Sequence, residues 1–271
     1  MIRIGVGGWN YDGWRGGFYP EGLPQAKELE HASRRLTSIE IDSTYYGSRK
    51  PESFIKWRET TPDDFVFAVK GPRFATNRKL LAEAAPSIER FFKSGVTELK
   101  AKLGPVNWQF PTFKRFEAED FAAFLELLPA SVDGLAIRHA VEVRHASFRS
   151  ADFVALARER GVAVVIAGDS KYPMIADLTA PFVYARIMGT TEAEATGYGD
   201  EALDLWAGRA KRWAAGGAPP DLETLAAAPE PEPREVFLYV ISGFKARNPF
   251  AARALVERVA VGPPASVEKP A

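Results

Sequence analysis

The sequence contains no cysteine, and only three of its 271 residues are histidines. The absence of cysteine excludes disulfide bonds, thiolate nucleophiles and thiolate metal ligands. With so few histidines, a zinc site built mainly from imidazole nitrogens is not expected. The chain also lacks a Gly-x-Ser-x-Gly motif, which marks the nucleophile turn of the α/β-hydrolases. Chemistry that depends on any of these groups is therefore not expected here.

Charge and hydrophobic patterning narrow the classes of partner. Lys plus Arg equals Asp plus Glu at 35 each, so nucleic acid is left open as a partner but is not indicated by the net charge. No apolar run reaches the length of a membrane-spanning helix. The first eight residues alternate like a strand and do not resemble a secretion signal. We therefore expect a cytoplasmic protein without a membrane partner.

Strand-like and helix-like periodicities alternate along the chain. Strands are predicted near 2–7, 37–42, 65–70, 105–110, 139–144, 162–168, 182–187 and 235–242. Amphipathic helices are predicted near 24–36, 51–60, 86–101, 117–128, 150–160, 200–214 and 249–260. Eight strands alternating with helices predict an α/β fold, a TIM-type (β/α)8 barrel formed as a single domain by residues 1–260. A doubly wound open sheet is the alternative.

Three stretches depart from this alternation. Residues 170–181 are expected to be loop, so one outer helix is missing or reduced. The Ala-, Gly- and Pro-rich stretch near 214–235 is expected to be a low-complexity insertion on the bottom face, where helices return to strands. Residues 261–271 are expected to form a flexible tail.

Strand parity predicts which side chains enter the barrel. Ile39 and Ile41 are expected to face the outer helices, so Glu40 and Asp42 face the lumen. The same argument places further polar side chains inside, namely Lys70, Asn107, Gln109, Glu142, Arg144, Asp169, Tyr184 and Arg186. Most stand late in their strands, at the face where barrel enzymes have their active sites. Burying so many charges is costly, which favours a ligand site over a self-satisfied salt-bridge lattice.

An anion site is predicted beyond strands seven and eight. Strand eight leads into Lys245 and Arg247 and then into a helix that Pro249 begins. Free N–H groups at a helix start, together with nearby cations, favour an anion, and Arg186 is expected on the opposite wall. An ordinary helix start with solvated basic residues is the alternative.

Aromatic residues crowd the first loop and the segment after strand two, including Trp9, Trp14 and Tyr45. They are expected either to stack a planar base or sugar or to pack as a lid over the barrel end.

The predicted catalytic residues are Glu40 or Glu142 as a general base, with Lys70 stabilising negative charge. The predicted substrate-binding residues are Trp9, Asp42, Tyr45, Gln109, Arg144, His145, Arg186, Lys245 and Arg247.

Several of these residues stand in longer motifs that occur in order along nearly the whole chain. They are Gly8-Trp9, Trp14, Phe18-Tyr19-Pro20, Glu40-Ile41-Asp42-Ser43-Thr44-Tyr45-Tyr46, Thr61-Pro62, Lys70, Lys102-Leu103-Gly104-Pro105, Gln109-Phe110-Pro111, Glu142-Val143-Arg144-His145 and Tyr184-Ala185-Arg186. In these motifs the chain resembles the YecE-like family, also called domain of unknown function 72. The resemblance implies a TIM barrel with a site at the top face, and it implies no particular reaction.

The chain departs from the family's pattern at four places. The family commonly has Asn at the position of Asp42, His at that of Asn77 and His at that of Met188. Its usual Asn pair after strand eight is replaced by the segment 242–245. A proton-transfer role that depends on those histidines or asparagines is therefore not carried over to this chain.

Three functions follow as hypotheses. The first is an enzyme that binds a small phosphorylated or carboxylated substrate at the C-terminal face. The second is a non-catalytic module that binds a ligand or nucleotide. The third is a divalent-metal-dependent hydrolase or nuclease-like enzyme, with a cation among Glu40, Asp42, Glu142, Asp169 and His145. The sequence leaves the cofactor unknown; a divalent metal is an alternative only under this third hypothesis, and no residue is assigned as a metal ligand outside it.

Overall fold

The computed structural model describes residues 1–260, and the predicted tail at 261–271 lies outside the described residues. The strands are β1 (Ile2–Gly7), β2 (Ser38–Ile41), β3 (Val66–Lys70), β4 (Leu103–Gln109), β5 (Ser131–Val132), β6 (Leu135–Ala136), β7 (His139–Glu142), β8 (Ala163–Val164), β9 (Ile166–Gly168), β10 (Phe182–Ile187) and β11 (Glu235–Val240). Nine of them form one parallel sheet in the order β8-β7-β4-β3-β2-β1-β11-β10-β9. The two ends of this order, β8 and β9, are consecutive in the chain and are separated by Val165 alone. The sheet therefore closes on itself as the predicted TIM-type barrel, with its sixth strand split in two.

The split leaves each half of the sixth strand with its own partner. Ala163 and Val164 pair with β7, whereas 166–168 pair with β10. The Val165 N–H still donates to the Val141 carbonyl over 2.9 Å, so backbone hydrogen bonding continues across the break. The sequence predicts one continuous strand there, because its apolar run shows no interruption.

The α-helices lie outside the barrel or at its upper rim. They are α1 (Glu28–Ser33), α2 (Ser43–Tyr46), α3 (Pro51–Thr60), α4 (Arg73–Thr76), α5 (Ala85–Lys93), α6 (Ala118–Glu126), α7 (Ala151–Glu159), α8 (Asp200–Ala214) and α9 (Asn248–Ala260). Proline is the first residue of α3 and the second of α5 and α9, where its missing N–H has no intrahelical partner to lose. Residues 170–181 contain no helix, as expected from the sequence.

Several elements differ from the sequence expectation. The helix predicted over 86–101 is α5 followed by 3₁₀ turns over Val96–Lys102, because Gly95 adopts a left-handed conformation and ends α5. The one-turn helices α2 and α4 follow β2 and β3 and were not predicted. The antiparallel hairpin of β5 and β6 was also not predicted, although its turn, Asp133-Gly134, has positive φ at both residues.

Two hydrophobic layers surround the strands. The larger one packs the outward faces of the strands against the helices and contains Trp108, Trp206 and Trp213. The smaller one fills the lower lumen with Phe182, Tyr184, Phe237, Tyr239 and small side chains. In this lumen layer the rings of Tyr184 and Phe237 are stacked with centroids 6.3 Å apart. The lumen is thus closed by aromatic rings below the polar groups described next.

The stretch between α8 and β11 lies against the bottom of the barrel. The backbone N–H groups of Leu225 and Ala226 both donate to the buried carboxylate of Asp177, each over 2.9 Å. The guanidinium of Arg234 is buried and donates to the carbonyls of Ala180 and Gly216. The segment therefore has fixed contacts with the barrel in spite of its low-complexity composition.

Candidate functional site

A buried ion-pair lattice fills the upper lumen, and its centre is Arg186 from β10. The Arg186 guanidinium donates to Glu40 Oε1 of β2 over 2.8 Å and forms a very short contact with Glu142 Oε2 of β7. The Glu40 and Glu142 side chains are fully buried, and that of Arg186 is 5% exposed. Strand alternation explains the arrangement, because the isoleucines flanking Glu40 face the helices and turn Glu40 inward.

Two neutral side chains complete the floor of this lattice. The Tyr184 hydroxyl donates to Glu40 Oε2 in a short hydrogen bond. The Asn107 side-chain amide donates to the same oxygen over 3.2 Å and to Glu142 Oε2 over 3.5 Å. Each oxygen of Glu40 is therefore held by at least one donor.

Lys70, at the end of β3, extends the lattice towards the barrel mouth. Its ammonium donates to Gln109 Oε1 over 2.7 Å and lies 3.6 Å from Asp42 Oδ1. It also lies 4.4 Å from the centre of the Tyr45 ring. The Lys70 side chain is 8% exposed, whereas that of Asp42 is 35% exposed. The lattice thus reaches solvent at Asp42.

Arg144 provides a second connection between the floor and the mouth. Its guanidinium contacts Glu142 Oε1 through Nε at 2.7 Å and through NH2 at 2.6 Å. It also lies 4.3 Å from the centre of the Tyr172 ring, and NH1 donates to the Tyr172 hydroxyl over 3.3 Å. Tyr172 was not predicted, because it lies in the loop over 170–181, where strand parity gives no information.

The three carboxylates of the lattice differ in pKa, because the charges around them differ. Burial alone would raise the pKa of Glu142, but the positive charges of Arg186, Arg144 and Lys70 lower it to about 2. Burial likewise opposes ionisation of Glu40, yet Arg186 and Lys70 hold its pKa below the usual range. For Asp42 the balance is reversed, since burial and the negative charge of Glu40 raise its pKa to about 6. Asp42 is therefore the carboxylate of the three whose pKa lies nearest to neutrality.

Two residues proposed for a metal cluster lie outside the lattice. Asp169 has a left-handed φ of 51° and accepts hydrogen bonds from the Tyr198 hydroxyl and the Trp206 indole, so it faces α8 rather than the lumen. His145 faces its own 3₁₀ turn, where Nδ1 accepts from the Ser147 N–H over 3.1 Å. Within residues 1–260, no three His, Cys, Asp or Glu side chains are arranged to hold a metal ion.

The other two histidines also have partners away from the lattice. His31 packs edge-on against Phe18 and Tyr19. His139 Nδ1 accepts from the Trp108 indole over 3.1 Å, and Nε2 lies 2.9 Å from the Pro129 carbonyl. Burial lowers the pKa of His139 to about 4, so its imidazole is neutral at physiological pH. Both imidazoles are part of the packing around the barrel.

A cleft of about 610 Å³ opens beside the lattice, between the first loop, α1 and α3. Of the predicted site residues, Trp9, Asp42 and Lys245 line it. Gly7 and Gly8 line it too, and a Cβ added at Gly7 would lie 2.7 Å from Asp42 Oδ2. Gly8 has a φ of 69°, which favours glycine where the chain turns from β1 into the first loop. Asp42 therefore belongs to both the lattice and the cleft.

Lys245 and Arg247, the basic residues of the segment after β11, are not brought into contact with Arg186. Arg186 is held by the two glutamates, whereas the Lys245 ammonium lies 4.7 Å from the centre of the Tyr11 ring. Arg247 lies near Gly197, where an added Cβ would be 2.8 Å from Arg247 Cβ. The structure thus places the two basic residues at the rim and Arg186 in the floor.

Most aromatic residues of the first loop are packed rather than available for stacking. Trp14, Phe18 and Tyr19 are buried, and the Trp14 indole donates to the Lys245 carbonyl over 2.8 Å. Trp9 is half-buried and meets Trp57 of α3 edge-to-face, with ring centres 5.1 Å apart. Trp57 was not predicted as part of the site, because α3 is far from this loop in sequence.

Within residues 1–260, no helix has both the length and the hydrophobicity needed to cross a membrane.

The model of the family described as protein of unknown function DUF72 matches residues 3–270. The UPF0759 protein YecE of Escherichia coli is 31% identical to the chain over 150 residues, which are 55% of this chain and 50% of YecE. The chain thus spans about half the length of this curated relative.

Solved structures share the fold over nearly the whole chain. A DUF72 family protein from Thermotoga maritima has a TM-score of 0.74 at 21% identity, covering 96% of this chain and 100% of that chain. D-psicose 3-epimerase has a TM-score of 0.53 at 12% identity, covering 95% of this chain and 97% of that chain. At these identities the likeness concerns the fold alone. Because the family model covers almost the entire sequence, the chain belongs to the DUF72 family.

Proposed function

We propose that this chain is an enzyme that acts on a small phosphorylated or carboxylated substrate at the C-terminal face of the barrel. The observation that carries the proposal is the position of Lys70 and Arg144. Each is held by the lattice on one side and flanked on the other by a tyrosine ring near the mouth. Cations fixed in this way can bind an anion without having to be ordered on binding.

In this proposal, Asp42 is the residue that accepts and donates the proton. The sequence predicts Glu40 or Glu142 as the general base, but the oxygens of both are held by arginine, tyrosine or amide donors. A carboxylate with a pKa of about 2 is also a weak base at neutral pH. In our proposal the two glutamates hold Arg186 and Arg144 in position. Asp42, with a pKa of about 6, is better matched to accepting and donating a proton.

Charge balance connects the proton on Asp42 to anion binding. The lattice contains three cations, from Lys70, Arg144 and Arg186, and three carboxylates, from Glu40, Asp42 and Glu142. Protonation of Asp42 leaves one excess positive charge next to Lys70. An anion is therefore expected to bind more tightly as Asp42 takes up a proton, and its binding is expected to raise the pKa of Asp42 further.

Sulfate is a suitable probe, because its charge is constant across the range in which Asp42 titrates. We expect sulfate to bind more tightly at about pH 5 than at about pH 7.5, as measured by titration calorimetry. The Asp42→Asn variant is expected to bind it equally at both pH values, and Lys70→Met to lose binding. The matched control is Arg138→Met, which removes a cation that pairs with Glu235 at the start of β11, at the opposite end of the barrel, and should leave sulfate binding unchanged. Sulfate binding that is independent of Lys70 would contradict the proposal.

Turnover is the second requirement of the proposal. Phosphorylated and carboxylated small molecules would be incubated with the protein and followed by NMR. We expect consumption of at least one of them, with a rate that depends on a group of apparent pKa near 6. Asp42→Asn should abolish this consumption while keeping the binding of sulfate. Anion binding without any turnover would instead support the non-catalytic binding module.

A further inference from the structure

The cleft beside the lattice is too large for a small anion alone. Its volume of about 610 Å³ lies in the range of pockets that enclose a drug-sized molecule. Its inner end is Asp42, which also contacts Lys70 of the lattice. A substrate whose reactive group lies at Asp42 would therefore extend into this cleft.

Two tryptophans and a tyrosine form the aromatic part of the cleft wall. Trp9 and Trp57 are half-buried and hold each other edge-to-face, so neither ring needs to be ordered on binding. Tyr46 is 65% exposed and also lines the cleft. Aromatic rings that line a cleft favour a planar partner, because such a partner can stack on an accessible ring face.

Three cations surround the same cleft. Arg49, Lys56 and Lys245 all line it, and all three are exposed. Within residues 1–260, none of the three forms an ion pair with a carboxylate, whereas Arg144 and Arg186 of the neighbouring lattice do. Asp42 is the one carboxylate among the residues that line the cleft. The cleft is therefore positively charged at its rim and aromatic in its wall.

We infer that the cleft binds the planar ring and the phosphate of a nucleotide-like substrate. This inference rests on the proposed function and specifies the substrate class. The ring would stack against Trp57 and Trp9, and the phosphate would be bound by the cations at the rim. The group that reacts would be a second anionic group of the substrate, bound at Lys70 next to Asp42. A planar ring adds the contact area with the aromatic wall that a free phosphate lacks. The phosphate in turn pairs with the three cations, which a neutral ring alone would leave without an anionic partner.

The test compares AMP, ribose 5-phosphate and adenosine by titration calorimetry on the full chain. AMP carries both the ring and the phosphate, and each of the other two probes lacks one of them. We expect AMP to bind about tenfold more tightly than either. Trp57→Leu should weaken AMP about tenfold and leave ribose 5-phosphate unchanged. Lys56→Met, which alters an exposed side chain and should not affect folding, is expected to weaken AMP and ribose 5-phosphate but not adenosine.

The matched control is Phe113→Leu, which removes an aromatic ring that is 69% exposed and lies outside the cleft. It should leave all three affinities unchanged. If AMP binds no more tightly than ribose 5-phosphate, or if neither Trp57→Leu nor Lys56→Met affects it, the inference is wrong. Lys70-dependent sulfate binding in Trp57→Leu would then show that the proposed function survives this failure. Conversely, Trp57-dependent AMP binding without Lys70-dependent sulfate binding would support the cleft and contradict the proposed function.

Discussion

The two ends of the barrel lumen contain the same arrangement of charges in different surroundings. At the top, Glu142 lies between Arg144 and Arg186, which we call the upper triad. At the bottom, Glu235 of β11 lies between Arg3 and Arg138, the lower triad. The glutamate side chain is fully buried in the upper triad and 26% exposed in the lower one.

The surroundings of the two triads show what the difference means. The Arg138 guanidinium lies 5.0 Å from the centre of the Phe237 ring and 5.8 Å from that of Phe182, so the lower triad covers the aromatic layer and closes the bottom of the barrel. The upper triad has further polar neighbours that continue to Asp42 and the mouth. Solvent screens the lower pairs, whereas the upper pairs must compensate for their own burial. An arginine–glutamate cluster therefore indicates a candidate site here only when it is both buried and connected to a cavity.

The largest expected effect comes from removing the central arginine of the upper lattice. Arg186→Ala leaves Glu40 and Glu142 buried next to each other without their main partner, and we expect a loss of about 3–5 kcal/mol in the free energy of unfolding. Arg138→Ala, its counterpart below, should cost about 1 kcal/mol or less, because Glu235 keeps Arg3 and is partly solvated. Urea denaturation of both variants measures the difference. Equal losses would remove the distinction between the two triads.

Acid titration gives the next largest effect. Because the pKa of Glu142 is lowered from 4.5 to about 2, its contribution to stability is fully present above pH 4.5 and is lost as the pH falls towards 2. At about 1.4 kcal/mol for each pH unit, this contribution amounts to roughly 3 kcal/mol. In Glu142→Gln we expect the free energy of unfolding to fall less steeply below pH 4.5. Glu235→Gln should reduce the pH dependence of the free energy of unfolding less than Glu142→Gln does. A larger reduction in Glu235→Gln would contradict the difference between the two triads.

The smallest effect is expected at the mouth, where the Asp42 side chain is 35% exposed and solvent screens its interactions, and it has the opposite sign. Because the pKa of Asp42 is raised from 3.8 to about 6, ionising Asp42 opposes folding, and this group lowers stability as the pH rises from 3.8 to 6. Asp42→Asn should therefore make the free energy of unfolding rise more, or fall less, across that window. Glu235→Gln is the control for the sign, since the pKa of Glu235 is lowered and its removal should change the slope in the other direction. An unchanged slope in Asp42→Asn would show that its carboxyl is not perturbed.

The fold and the floor of the lattice follow from local sequence patterns. Alternation within a strand fixes two faces, so outward Ile39 and Ile41 are enough to turn Glu40 towards the lumen, where it contacts Arg186. The same rule fails for Asp169, because it lies beyond β9 and its positive φ turns the side chain towards Tyr198. Strand alternation therefore predicts the direction of a side chain only where the backbone is extended.

Contacts between distant segments explain most of what the sequence does not predict. Trp57 lies on α3 and meets Trp9 only after the barrel has brought the first loop and α3 together. Tyr172 covers Arg144 from a loop without periodicity. The protonation of the three lattice carboxylates depends on burial and on cations from several strands, so a list of charged residues cannot distinguish Asp42 from Glu142.

The closure of the barrel between β1 and β11 also determines the order in which the chain can fold during its synthesis. The register pairs Ile2 with Val236, so β1 obtains one of its two neighbours only after the chain has been translated as far as β11. Until then β1 has β2 as its one partner, and its other edge presents unpaired backbone groups. A nascent chain that stops before β11 is therefore an open sheet with an unpaired edge at β1, and this edge can pair wrongly with other chains.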